Sequence, residues 1–170
     1  MLNVGIINEN QNFIPVMMAL SNKEDSETFE YIFKFINSKC DHSLTNCIGD
    51  GGKAARIAAK NIWPETTLLM CWWHMSNAVK RKLRWLDARD TTVFNDLMDD
   101  LYFIQTYALD DESFNILYGL FLRKYTEEYQ FFDKELKQDV CQNAIPYISK
   151  VWVHDETLRN WYQGANPQVI

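Results

Sequence analysis

Strand-like apolar runs occur only in the first half of the chain, and from about residue 92 onward the apolar residues recur at helical spacing alone. Patterns in that order predict an α/β part followed by helices. Residues 2–7 (LNVGII) and 13–20 (FIPVMMAL) carry Val and Ile, flank a hairpin-length loop from Asn8 to Asn12, and read as paired strands. In SNKEDSETFEYIFKFINSK, Ser21 or Asn22 serves as N-cap, and Phe29, Ile32, Phe33 and Ile36 fall at spacings of three and four, which predicts an amphipathic helix. Residues 44–48 (LTNCI) predict a short strand, Lys53 to Trp63 a helix stopped by Pro64, and Thr67 to Trp72 another strand. Beyond residue 92, Phe94, Leu97, Met98 and Leu101 mark one helix. Phe114, Leu117, Tyr118 and Phe121 mark a second, capped by Asp110 or Asp111, and Tyr129, Phe132 and Leu136 a third that starts at Thr126. The division falls into residues 1–91 and 92–170.

With 47% hydrophobic and 14% aromatic residues, 170 residues bury the core of a compact protein. Apolar runs such as Thr67 to Trp73 are far shorter than the ~20 residues of a membrane helix, and residues 1–20 lack a basic region followed by a cleavage site. This predicts no membrane partner and a nuclear or cytoplasmic, not secreted, protein. Cys40, Cys47, Cys71 and Cys141 are too scattered for a disulfide framework and fit a reducing compartment.

A net charge of −6 repels a phosphate backbone, so any nucleic-acid contact has to come from a local cluster. Lys80, Arg81, Lys82 and Arg84 form the densest basic group. It reads as phosphate contacts or a nuclear import signal, or as the wet side of a helix whose Ala78 and Val79 turn inward. Asp96, Asp99, Asp100, Asp110, Asp111 and Glu112 make the middle acidic; alternating with an apolar stripe, they read as a solvated face and caps.

Asp50 stands where a strand ends and a helix begins, the position at which open α/β sheets collect ligands. Gly49, Gly51 and Gly52 let the backbone turn sharply there; a cap or turn role for Asp50 accounts for the same pattern. Gly49, Gly51 and Ala54 formally match a dinucleotide fingerprint, but the Asp50 charge would face the pyrophosphate and a hairpin precedes the motif. A P-loop fails on spacing and on Ala54 in place of Ser or Thr. Cys71 and His74 are a thiol and an imidazole three residues apart, two ligands short of the four zinc takes. Cys40 and His42 could complete the set; a buried cysteine with a core histidine that is hydrogen-bonded is the simpler reading. His42 and His154 are isolated, and no Ser or Cys has a plausible base partner.

The run VGIINENQNFIPVMMALSNKEDSETFEYIF resembles the part of Mutator-like element (MULE) transposases where a strand pair with a Pro precedes a Glu-rich helix. The run CIGDGGKAARIAAKNIWPETTLLMCWWHMSNAVKRKL resembles their second catalytic Asp, an alanine-rich helix, a Trp-Pro and a Cys-x-x-His. This resemblance implies an RNase H-like fold and a site of two Asp and one Glu that binds magnesium or manganese to cut and join DNA. Asp50 would be the second metal-binding carboxylate, and Cys71 with His74 the Cys-x-x-His pair. Two-metal chemistry needs carboxylates converging from separate elements. The first Asp and last Glu have no counterpart in a matching motif, and Glu127, Glu128 and Glu156 sit in none.

The resulting expectation is an incomplete RNase H-like mixed sheet with flanking helices over residues 1–91, followed by an all-helical insertion over 92–170. Such a piece of a DNA transposase should expose strand edges and apolar surface, bind no metal tightly, not cleave DNA by itself, and either be unstable alone or pair with another copy or a protein partner. The alternatives are a non-catalytic DNA-binding or protein-interaction module, the latter using Trp85, Tyr102, Phe103, Tyr107 and Phe114, or a nucleotide-binding protein using Gly49 to Ala54.

Overall fold

The computed structural model describes residues 2–7, 13–39 and 44–165, which fall into two compact units, one ending at Leu68 and the next starting at Leu69. In the first unit, β1 (Leu2–Ile7) and β2 (Phe13–Ala19) form an antiparallel pair with register from Leu2↔Ala19 to Ile7↔Phe13. The register steps from Val4↔Met17 to Gly5↔Pro15, so Val16 is the extra residue of a bulge. A proline has no N–H to donate, and the bulge of a two-stranded sheet is where one is tolerated.

Helix α1 (Ser26–Asn37) starts one turn later than the sequence predicts, because the Asp25 carboxylate accepts from Thr28 N–H at 2.9 Å and is its N-cap. Ser21 instead closes a local turn onto Lys23. Then come β3 (Asn46–Gly49), α2 (Lys53–Ile62) and β4 (Thr67–Met70), with β3 paired to β4. Among the described residues the four strands pair two by two in two separate sheets, where the sequence reading anticipated one mixed sheet. β1 and β2 are neighbours in sequence and pair at small entropic cost, whereas β3 and β4, only four residues each, pair with α2 between them in the chain.

Ile32, Phe33, Ala58 and Ala59 are the buried centre of this unit, with Met17, Ala19, Phe29, Trp63 and Leu68 packed around them. The alanines let α1 and α2 approach closely. Asn61 donates to Glu30 Oε1 and Trp63 Nε1 to Asn37 Oδ1, each at 2.7 Å, which fixes the helix pair in register. On β2, Ile14, Val16 and Met18 are exposed, as is Leu20 just past its end, so the strand is apolar on both of its faces.

The second unit is helical: α3 (Trp72–Lys82), α4 (Arg84–Arg89), α5 (Thr91–Tyr107), α6 (Asp111–Arg123), α7 (Lys134–Asp139), α8 (Ile145–Ile148) and a closing 3₁₀ turn (Gln163–Ala165). Trp72 opens α3 and does not extend the preceding strand. Asp90, Asp110 and Asp133 accept backbone N–H bonds as N-caps, Asp110 in a capping box with Ser113. Three π-helical turns (Lys124–Glu128, Val140–Ala144, Ser149–Val153) interrupt the α register. The helix expected from Thr126 is therefore a π turn continuing α6; the chain breaks at Tyr129, and the next helix starts at Lys134. Phe132, expected on an apolar stripe, is 95% exposed.

An aromatic column holds this unit together: Phe114, Tyr118, Phe121, Tyr125 and Tyr129 follow one another with ring centroids 5.1 to 6.2 Å apart. Trp161 packs edge-on against Phe114 at 5.4 Å and donates from Nε1 to the Trp152 carbonyl at 2.6 Å. Arg89 bridges to Asp139 at 2.5 Å and Asp133 at 3.3 Å, tying α4 to both ends of α7.

Candidate functional site

Asp50 lies between the end of β3 and the start of α2, with an exposed side chain. Gly51 takes φ 77°, a left-handed conformation that favours glycine. The Gly52 N–H then donates to Asp50 Oδ1 at 2.9 Å, closing an Asx turn. Gly52 is the N-cap of α2 and has no side chain to fill that role; a Cβ there would come within 3.0 Å of Asp50 Oδ1. The glycines thus fold the carboxylate back over the helix start. A bound pyrophosphate would need the N–H that Asp50 already takes, so this loop does not fit the dinucleotide reading of Gly49, Gly51 and Ala54.

Three residues upstream, burial pushes the Cys47 thiol up, partly offset by the Arg56 guanidinium, which favours the protonated form. Among the described residues, no three His, Cys, Asp or Glu side chains come together as a metal-holding group. Asp50 alone does not make the converging carboxylates of a two-metal site, and no magnesium-dependent step follows from these residues.

Cys71 is the N-cap residue of α3, half-buried, with no side-chain bond to the helix start. His74 is exposed and meets the Trp73 ring edge-on at 4.8 Å between centroids. The expected core histidine is therefore a surface one, because the inward side of α3 is taken by Met75, Ser76 and Val79. Cys40 and His42, the other two zinc candidates, lie outside the described residues.

Lys80, Arg81 and Lys82 occupy the last turn of α3, where cations meet the negative end of the helix dipole, and Arg84 opens α4. All four are exposed, and Val79 turns inward as expected. Lys82 leans away, its Nζ 5.7 Å from the centre of the Tyr147 ring.

The acidic middle is more than a solvated face. Asp96 Oδ2 accepts from the Tyr129 hydroxyl at 2.6 Å, and Asp100 Oδ2 accepts from Tyr125 at 2.9 Å and Lys124 Nζ at 2.6 Å. Tyr162 and Arg159 likewise engage Asp111. The four-residue spacings Asp96/Asp100 and Tyr125/Tyr129 were the available signal for this network. Of the aromatic residues grouped as a protein-binding surface, Tyr102, Phe103 and Tyr107 are exposed, Trp85 is half-buried, and Phe114 is completely buried in the core.

Part of the chain is similar to a known family. Residues 1–78 match the MULE transposase domain. The matched stretch takes in all four strands, α1, α2 and the first turns of α3, and with them Asp50, Cys71 and His74. The basic group Lys80 to Arg84 and the rest of the helical unit follow it in sequence. No curated protein and no solved structure gives a significant match. No helix among the described residues is long and apolar enough to cross a membrane.

Proposed function

We propose that these 170 residues are a piece of a MULE-type DNA transposase core in which Asp50 is one of the metal-binding carboxylates, and that by themselves they bind DNA without cutting it. The observation that carries this reading is an exposed carboxylate at the carboxyl end of a strand, inside the segment that matches the family. In the RNase H-like chemistry of the family, magnesium or manganese would be held by Asp50 together with acids that have no matching motif here. Cutting is the property of a chain or assembly that supplies them. Residues 92–170 are read as the helical insertion of such a core. DNA contact is assigned to Lys80, Arg81, Lys82 and Arg84, and a genomic substrate fits nuclear residence.

The test is incubation of the purified chain with labelled DNA and magnesium or manganese. Expected is retardation of DNA at low salt and no strand cleavage. Cleavage that vanishes in Asp50→Asn would overturn the inactive part of the proposal and leave the family reading. Absence of retardation would overturn DNA binding. A second reading, a protein-binding module, would then gain ground: Tyr102, Phe103 and Tyr107 are exposed on α5, the last two with rings 4.6 Å apart.

A further inference from the structure

Helix α3 carries one face that sets an aromatic ring beside basic side chains. At about 100° per residue, Trp73, Asn77, Lys80 and Arg81 fall within roughly 100° of arc, while Met75 and Val79 face the core. Leu83 closes α3, its N–H reaching the Val79 carbonyl at 2.8 Å, and with φ −96° and ψ 17° it leaves the helical conformation before Arg84 opens α4. Arg84 is exposed just beyond the last turn of α3, and the part of the stripe on α3, from Trp73 to Arg81, runs about 12 Å.

Trp73 is 65% exposed. Its neighbour Trp72 packs on Trp161 at 5.8 Å and Tyr102 at 6.1 Å, and Trp152 and Trp161 are buried. The cations beside Trp73 are uncompensated. Arg89, Arg123, Lys124 and Arg159 each face a carboxylate, whereas among the described residues Lys80, Arg81 and Arg84 have no ion pair. A large flat ring left in water beside uncompensated positive charge is the combination that grips an unpaired nucleic-acid strand: the ring stacks on a base and the cations follow the phosphates.

We infer that Trp73, Lys80, Arg81 and Arg84 form a binding stripe for single-stranded DNA. In a duplex the base faces are already stacked, so Trp73 has no partner there and only the charges act. The inference rests on the DNA reading above and adds the strand state of the substrate, with Trp73 as the discriminating residue.

The experiment is fluorescence anisotropy of the whole chain with a labelled oligothymidylate of about twelve nucleotides and with a duplex of equal length, at several salt concentrations. The single strand is expected to bind about tenfold tighter or more. Trp73→Ala should weaken single-strand binding about tenfold, leave duplex binding and the salt slope unchanged, and be largely rescued by Trp73→Phe. The triple change Lys80→Ala, Arg81→Ala, Arg84→Ala should flatten the single-strand salt slope by about two. Circular dichroism of each variant checks that the helices remain. Equal affinity for both forms, or an equal loss on both in Trp73→Ala, overturns the inference and leaves the DNA reading standing. Binding to neither form overturns both.

Discussion

The Tyr129 hydroxyl donates to Asp96 Oδ2 across 2.6 Å, and one turn away Tyr125 does the same to Asp100, so two acids of α5 are held against the π turn that follows α6. Tyr129→Phe leaves Asp96 without that donor. The expected cost is about 1–2 kcal/mol, read as a lower urea midpoint with an unchanged m-value.

The same network gives the protein a limit in alkali. Burial first, then the Asp100 charge and hydrogen bond, holds the Tyr125 phenol far above the usual tyrosine range. An unfolded tyrosine ionises near ~10, so above that pH the folded chain keeps a proton that the unfolded chain has lost. The contribution is fully present below about pH 10 and declines above it by about 1.4 kcal/mol per pH unit for this one group. Tyr129 and Tyr162 are raised as well and steepen the fall. Urea midpoints should hold near pH 8 to 9 and drop by about pH 11, and Tyr125→Phe should flatten the drop; a level profile in the wild type would contradict this.

Phe114→Ala is expected to cost about 3–5 kcal/mol, because the ring is fully buried between Trp161 at 5.4 Å and Tyr162 at 4.4 Å. Tyr107→Ala, on an exposed ring, should change stability by less than about 0.5 kcal/mol. Thermal unfolding of the two variants side by side separates the core aromatic from the surface one.

Gly164→Ala should be among the most damaging single-methyl additions in the helical unit. Its Cβ would stand 1.9 Å from the Leu109 carbonyl carbon and 2.5 Å from the Asp110 nitrogen, both backbone atoms that a flexible side chain cannot spare. The Gly164 N–H also bonds the Ala108 carbonyl at 2.8 Å, so relief by moving apart breaks a hydrogen bond. A loss of about 1–3 kcal/mol is expected in chemical denaturation.

Around Asp50, charge and turn can be separated. Asp50→Asn keeps a side-chain oxygen for the Gly52 N–H and should leave thermal stability within about 0.5 kcal/mol, whereas Gly51→Ala forces an L residue into φ 77° and should cost about 1–2 kcal/mol.

The strands, α1 and α2 were legible because short-range signals agreed: Val and Ile in β1, the stop at Pro64, the alanine-rich stretch of α2. Where two caps compete, the pattern misleads. Ser21, Asn22 and Asp25 can all cap; Ser21 turns onto Lys23 and Asp25 takes the Thr28 N–H. The π turn hid the end of α6: the helix stops at Tyr129, and Phe132 falls in the non-helical stretch before α7, where it is exposed. Asp50 could be singled out from its glycines, but not its bond to Gly52. Phe114 and Tyr107 look alike in sequence, and only the long-range approach of Trp161 and Tyr162 tells them apart.

Strand β2 carries a consequence for the protein's life in a cell. Ile14, Val16, Met18 and Leu20 present to water the kind of extended apolar segment that chaperones hold and proteases enter. Turnover of these residues would then track how quickly another surface occludes β2, and the well-packed helices downstream would do little to prolong it.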